Sequence, residues 1–186
     1  MGRPRKSGKP KRYQNGWYML VDPTSKHVLA AVPMEDPENN QVKLDSLEKI
    51  VHLYPKLNCY VHDRACSVEK AGRKRRRLRR IKYYAVDKLH AERHRKKCKH
   101  SPLTNKVLKR RLKNVNTMVA EQTFSWFRHH ARVLNETRDL RHRFLVLRYC
   151  KKHNELMDAG DYSHLNEFTA GKEMKKKPSV AYACSR

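Results

Sequence analysis

Residues 57–63 read LNCYVHD, a short apolar, β-prone run that stops at an acid, and residues 81–87, IKYYAVD, end in the same way. What surrounds these two runs decides the fold class. Upstream, WYMLV (17–21), then Asp22-Pro23-Thr24-Ser25-Lys26, then HVLAAV (27–32) reads as strand, turn, strand, with Pro23 and the small polar residues supplying the reversal. Between that hairpin and LNCYVHD, the apolar Leu44, Leu47, Ile50, Val51 and Tyr54 recur at helical spacing until Pro55 ends the segment. Downstream, residues 114–134 predict a long helix with Asn116 as its N-cap and Met118, Val119, Gln122, Trp126 and Val133 at helix spacing. A second helix over about 138–155 carries Leu140, Phe144, Leu147 and Tyr149. The order implies a mixed α/β domain over 17–155, one central sheet flanked by helices, between a basic arm at 1–16 and a C-terminal tail at 156–186.

Charge sets the partner class. The 186 residues hold 44 Lys and Arg against 18 Asp and Glu, a formal charge of +26, with 38% hydrophobic residues to build a lean core. Folding concentrates that charge at a cost in self-repulsion, so a polyanion is the expected partner, DNA foremost and RNA left open. Twenty of the 44 basic residues lie between Lys70 and Lys113, with Asp87 and Glu92 as the acids among them. There Arg73, Lys74, Arg75, Arg76, Arg77, Arg79 and Arg80 are interrupted by Leu78 alone, and Lys96 and Lys97 follow. Arg3, Arg5 and Lys6 extend the candidate nucleic-acid surface into the arm, where Gly2-Arg3-Pro4-Arg5-Lys6 is similar to the core of an AT-hook. Basic runs of this kind point to the nucleus, and self-association stays open.

Other classes are poorly served. No window nears the ~18 uninterrupted apolar residues of a membrane span, and residues 1–16 lack the apolar middle of a secretory signal. Five cysteines, at 59, 66, 98, 150 and 184, form no paired framework, so reduced thiols are expected. With 6 Gly, no phosphate-cradling loop and no nucleophile elbow, nucleotide-driven motors and serine hydrolases find no support.

Two constellations could carry chemistry. Asp63 and Asp87 at strand ends and Glu121 on the long helix could meet at one sheet edge and hold Mg²⁺ or Mn²⁺ through hard oxygen ligands. Two such ions about 3.5–4 Å apart would serve phosphodiester displacement, although an acid after a strand is more often a turn former. The second constellation is Cys66, His90, His94 and Cys98, whose imidazole and thiolate groups suit Zn²⁺. On an unbroken helix His90 and Cys98 would stand about 12 Å apart, so a shared ion requires a break in the chain. Cys66 alongside completes a Cys-His-His-Cys set; the alternative leaves these histidines as solvated members of a basic segment.

The segments YVHDRAC (60–66), VDKLHAERHRKKC (86–98) and NTMVAEQTFSWF (116–127), in this order, resemble the Kyakuja–Dileera–Zisupton class of eukaryotic DNA transposases over roughly residues 16–155. The resemblance implies a ribonuclease H-like fold and an Asp-Asp-Glu site that cuts and joins DNA with divalent metal. Asp63 matches the second acid, Glu121 the third, and His90, His94 and Cys98 the His/Cys segment, with Cys66 beside it. His62 stands where Tyr is common, Phe124 where Asn is common, and the gap from His94 to Cys98 is one residue longer. The first acid of the class belongs to a strand upstream of what matches residues 16–34. The sheet is therefore expected to lack or replace its first strand, with Asp22 as the substitute acid, although Asp22-Pro23 is equally what a turn would use. An inactive relic, or a domesticated DNA-binding protein, is the rival that the missing acid implies; a basic RNA-binding structural protein is the third.

Overall fold

The computed structural model describes residues 16–34, 39–94, 98–137 and 139–165. Arg3, Arg5, Lys6, Lys96, Lys97 and most of the expected tail lie outside them. Strands β1 (Gly16–Val21) and β2 (Val28–Met34) form the expected antiparallel hairpin. Its turn is closed by Asp22, whose carboxylate accepts from the backbone N–H of Thr24 at 3.2 Å and Ser25 at 3.1 Å, and from Ser25 Oγ at 2.7 Å. Helix α1 (Asn40–Leu53) starts where Asn39 Oδ1 accepts Val42 N–H. It buries Leu44, Leu47, Ile50 and Val51 on one face, while Tyr54, expected on that face, closes the helix and is exposed.

A crossover follows. Strand β3 (Cys59–Val61), helix α2 (Ala65–Gly72), a 3₁₀ turn at Arg77–Arg80 and strand β4 (Tyr83–Ala85) bring β3 and β4 into parallel register. Within the basic run, Leu78 turns inward, fully buried with Leu47, Val51, Val68, Ile81 and Val86. At Gly72 a Cβ would lie 3.1 Å from Tyr84 Oη and 3.2 Å from Leu44 Cδ2, so a side chain there would require these two neighbours to shift by a few tenths of an ångström.

The single central sheet implied by the element order is corrected: the described strands form two separate pairs, β1-β2 and β3-β4. The hairpin and β3 meet through side chains, with the hydroxyls of Tyr18 and Tyr60 2.5 Å apart. Backbones spaced by two tyrosine rings are too distant for ladder bonds. The mixed α/β class stands.

Short helix α3 (Lys106–Arg111) packs Leu108 and Leu112 under Ala85. The long helix expected over 114–134 is divided into α4 (Val119–His129) and α5 (Ala131–Glu136), joined at His130, whose ring stacks on Tyr149 at 4.1 Å. Asn116 acts just ahead of α4, accepting Met118 N–H at 2.9 Å. Helix α6 (Asp139–Asp158) is rotated from the expected face: Val146, Cys150, His153 and Met157 are buried, whereas Leu140, Phe144 and Leu147 are 84%, 65% and 58% exposed.

Polar anchors fix that rotation. Trp17 Nε1–H donates to His142 Nε2 at 2.9 Å, whose Nδ1–H donates to Leu134 O at 2.7 Å. Asn154 receives Val28 N–H at 2.8 Å and donates to Val28 O at 3.1 Å, satisfying β2 as a neighbouring strand would. His153 Nε2–H donates to Lys26 O at 2.8 Å, and its Nδ1 accepts from His164 Nε2–H at 2.9 Å. Lys26 has φ +63°, and these bonds hold the turn in that conformation.

Leu78→Ala is expected to lower unfolding free energy by about 2–5 kcal/mol in urea denaturation, since the site is closed on every side by apolar neighbours. Burial lowers the pKa of His130, His153 and His164, with like-charged neighbouring histidines acting in the same direction. The unfolded chain therefore binds protons first as pH falls below about 6.5. Stability from these rings is complete above that pH and declines as pH drops through their folded values. Melting temperature measured from pH 7.5 to 5 should fall, with a shallower slope in His153→Gln.

Candidate metal centre and basic surface

Three side chains from separate places converge. Cys66 lies in the first turn of α2, just after Asp63 closes β3; His94 follows a 3₁₀ turn at Ala91–Arg93 and is extended, with φ −83° and ψ 154°; Cys98 lies beyond. Cys66 Sγ is 3.3 Å from Cys98 Sγ and 3.5 Å from His94 Nδ1, and Cys98 Sγ is 3.6 Å from the same nitrogen. A tetrahedral ion with Zn–S of about 2.3 Å and Zn–N of about 2.0–2.1 Å has S···N edges of about 3.5–3.6 Å and an S···S edge of about 3.8 Å. The two S···N edges fit and the S···S edge is slightly short. His94 Nε2–H donates to Asp63 O at 2.7 Å, which fixes the tautomer and turns the Nδ1 lone pair toward the sulfurs. Two thiols and an imidazole suit a borderline-soft ion such as zinc and not Mg²⁺ or Mn²⁺.

The segment that follows Cys98 is anchored by several bonds. The Cys98 carbonyl accepts from Ser101 N–H at 3.1 Å and Thr104 Oγ1 at 2.6 Å. His100 is held at both ring nitrogens, Nδ1 by Tyr84 O at 3.0 Å and Nε2 by Glu69 at 3.1 Å, and its carbonyl accepts Val86 N–H. Burial opposes ionisation of Glu69, but Arg73 and Lys99 outweigh it and hold the carboxyl below its ordinary range. Burial and the neighbouring Cys98 push the Cys66 thiol up; at Cys98 burial is outweighed by the His100 N–H, Cys66 and the His94 ring, so this thiol is the more acidic. Glu69 and His100 were not singled out in the sequence; their spacing, one helical turn after Cys66 and two residues after Cys98, was the available signal.

Of the four expected zinc ligands, the geometry gathers three. His90 is turned away, its Nδ1 2.8 Å from Asp87 Oδ2 and its backbone N–H donating to Asp87 Oδ1. The chain break that a shared ion required is present, but it sets His90 and His94 on different sides of the 3₁₀ turn. Among the described residues, Cys66, His94 and Cys98 are the His, Cys, Asp or Glu donors that assemble in threes within 4.8 Å; Asp22, Asp63 and Glu121 do not join such a group. Asp22 is occupied in the hairpin turn. Asp63 has His62 Nδ1 2.5 Å from Oδ1; this contact, aided by Lys43 and opposed by burial, holds its carboxyl far below the usual carboxylate range. Glu121 stands exposed in the first turn of α4.

The basic run separates into two kinds of residue. Arg75 bridges Asp45 at 2.6 Å and Glu48 at 3.2 Å on α1, Arg73 pairs with Glu69 at 2.9 Å, and Arg80 donates to Val51 O. Arg79 Nε donates to Arg73 O. Lys74, Arg76 and Arg77 are exposed and have no ion pair among the described residues.

Protein purified with zinc should retain close to one equivalent by elemental analysis, and Cys98→Ser or His94→Gln should lose it. Chelation should lower the wild-type melting temperature toward that of these variants, because metal binding and folding are coupled. Comparison with protein-family models, with curated proteins and with solved structures finds no match.

Proposed function

We propose that this chain is a nuclear, DNA-binding protein on a transposase-type frame, in which the Cys66-His94-Cys98 group takes zinc and the basic run meets the phosphate backbone. The observation that carries the reading is the shared position of the two features. Helix α2 contributes Cys66 at its start and leads directly into Lys74, Arg76 and Arg77, so an ion that fixes α2 also fixes the direction of the unpaired charges. Exposed Lys and Arg side chains bind a polyanion by releasing its condensed counterions.

The element order favours a ribonuclease H-like frame: an antiparallel hairpin, a helix, then a parallel β-α-β unit, with β1 and β3 linked by tyrosines. One strand laid between β1 and β3 would unite the two pairs into a mixed sheet. The acids favour the non-cleaving member of that class. Asp22 shapes a turn, Asp87 positions His90 and Asp63 lies against His62, so three of the four carboxylates that could have bound Mg²⁺ or Mn²⁺ have structural partners.

Lys74→Glu, Arg76→Glu and Arg77→Glu combined should weaken binding to a short DNA duplex by about tenfold or more in fluorescence anisotropy, with an unchanged melting temperature. Removing those contacts should flatten the log–log salt dependence by about 2–3. Equal affinity in wild type and triple variant, or a preference for structured RNA at matched salt, defeats the proposal. In the same preparation, nicking of end-labelled DNA by Mn²⁺ that is lost in Asp63→Ala and Glu121→Ala would replace the non-cleaving reading with the cleaving one.

A further inference from the structure

The cavity beside the Cys-His group, about 880 Å³, has all three donor residues in its wall together with Lys70, Arg73 and Lys99. From this we infer that the fourth position on the metal belongs to an exchangeable phosphate oxyanion, and that the centre is a ligand site as well as a fold support. The inference rests on the zinc reading above.

Three observations lead there. Among the described residues, the other donors near the group are already committed: His90 to Asp87 at 2.8 Å, and His100 and Glu69 to each other at 3.1 Å. In sequence, Arg95-Lys96-Lys97 separate His94 from Cys98 and offer cations and no metal-ligating side chain. Charge then selects the ligand. Two thiolates cancel a divalent ion, leaving a centre of about zero net charge, while the wall carries Lys70, Arg73 and Lys99 against the single acid Glu69. An oxyanion completes the tetrahedron and answers the remaining positive charge. A neutral ligand would leave that charge unmatched, and a cation would be repelled. Structural zinc sites are closed by four protein ligands, whereas sites that exchange ligands keep one position open; among the described residues three donors gather, and they line a cavity.

Phosphate can come from a free anion or from a DNA backbone, and one experiment separates the sources. The full chain is loaded with Co²⁺ in place of zinc, and its visible spectrum is followed while inorganic phosphate, or in a second arm a short DNA duplex, is added against a perchlorate control at matched ionic strength. Thiolate-to-cobalt absorption reports that the metal site exists; movement of the d–d bands reports that the open position has been filled. The expected result is a saturable d–d shift with phosphate and none with perchlorate, with Lys70→Glu weakening it by about fivefold. A shift with the duplex as well assigns the position to a backbone phosphate; a shift with inorganic phosphate alone assigns it to the free anion, and both outcomes support an exchangeable oxyanion site. Thiolate absorption with d–d bands indifferent to both phosphate sources overturns the inference and leaves the zinc reading standing. Absence of thiolate absorption overturns both.

Discussion

Glu69 lies one helical turn beyond Cys66 and meets three partners at once, Arg73 at 2.9 Å, Lys99 at 3.0 Å and His100 at 3.1 Å. At an open surface each such pair would contribute about 0–1 kcal/mol. Glu69 is only 14% exposed and His100 8%, so removing the carboxylate would leave a buried ring without its partner. Through Arg73 it steadies the start of the basic run, and through Lys99 and His100 it draws the Cys98 loop onto α2. His100 passes the constraint on to β4 by bonding Tyr84 O. The parallel strand pair, the metal group and the cationic run are thus placed relative to one another by a single carboxylate.

The same economy governs the other acids. In a chain where 44 basic residues face 18 acids, each carboxylate near the basic run is worth most as a local neutraliser. Asp45 and Glu48 hold Arg75 against α1, Asp87 holds His90, and Asp63 is matched by His62. Acids at strand ends therefore sit where a hard-metal site would put them, yet they find nitrogen partners.

Periodicity made the hairpin, α1 and the two strand runs ending at Asp63 and Asp87 legible, because each depends on local alternation or on one apolar face. The rotation of α6 was not legible. Its segment carries apolar residues all round, and the choice between Leu140-Phe144-Leu147 and Val146-Cys150-Met157 is made by His142, His153 and Asn154 reaching the hairpin, more than a hundred residues away in sequence. The break at His130 has a similar origin, since residues on α6 provide the ring against which it stacks. At the metal group, residue types and the need for a chain break identified Cys66, His94 and Cys98. Which of the two histidines would turn inward depended on Asp87 competing for His90, an interaction across a 3₁₀ turn that composition does not display.

Leu78, buried with α1 and α2 while its neighbours on either side are arginines, anchors the octet from Arg73 to Arg80 to the hydrophobic interior. That peptide's conformation depends on residues elsewhere in the chain, through Leu78 in the core and through the bonds of Arg75 and Arg80 to α1. Grafted onto an unrelated carrier it would keep its charge and lose its shape, behaving there as a generic polycation rather than as the directed comb of side chains it forms at home.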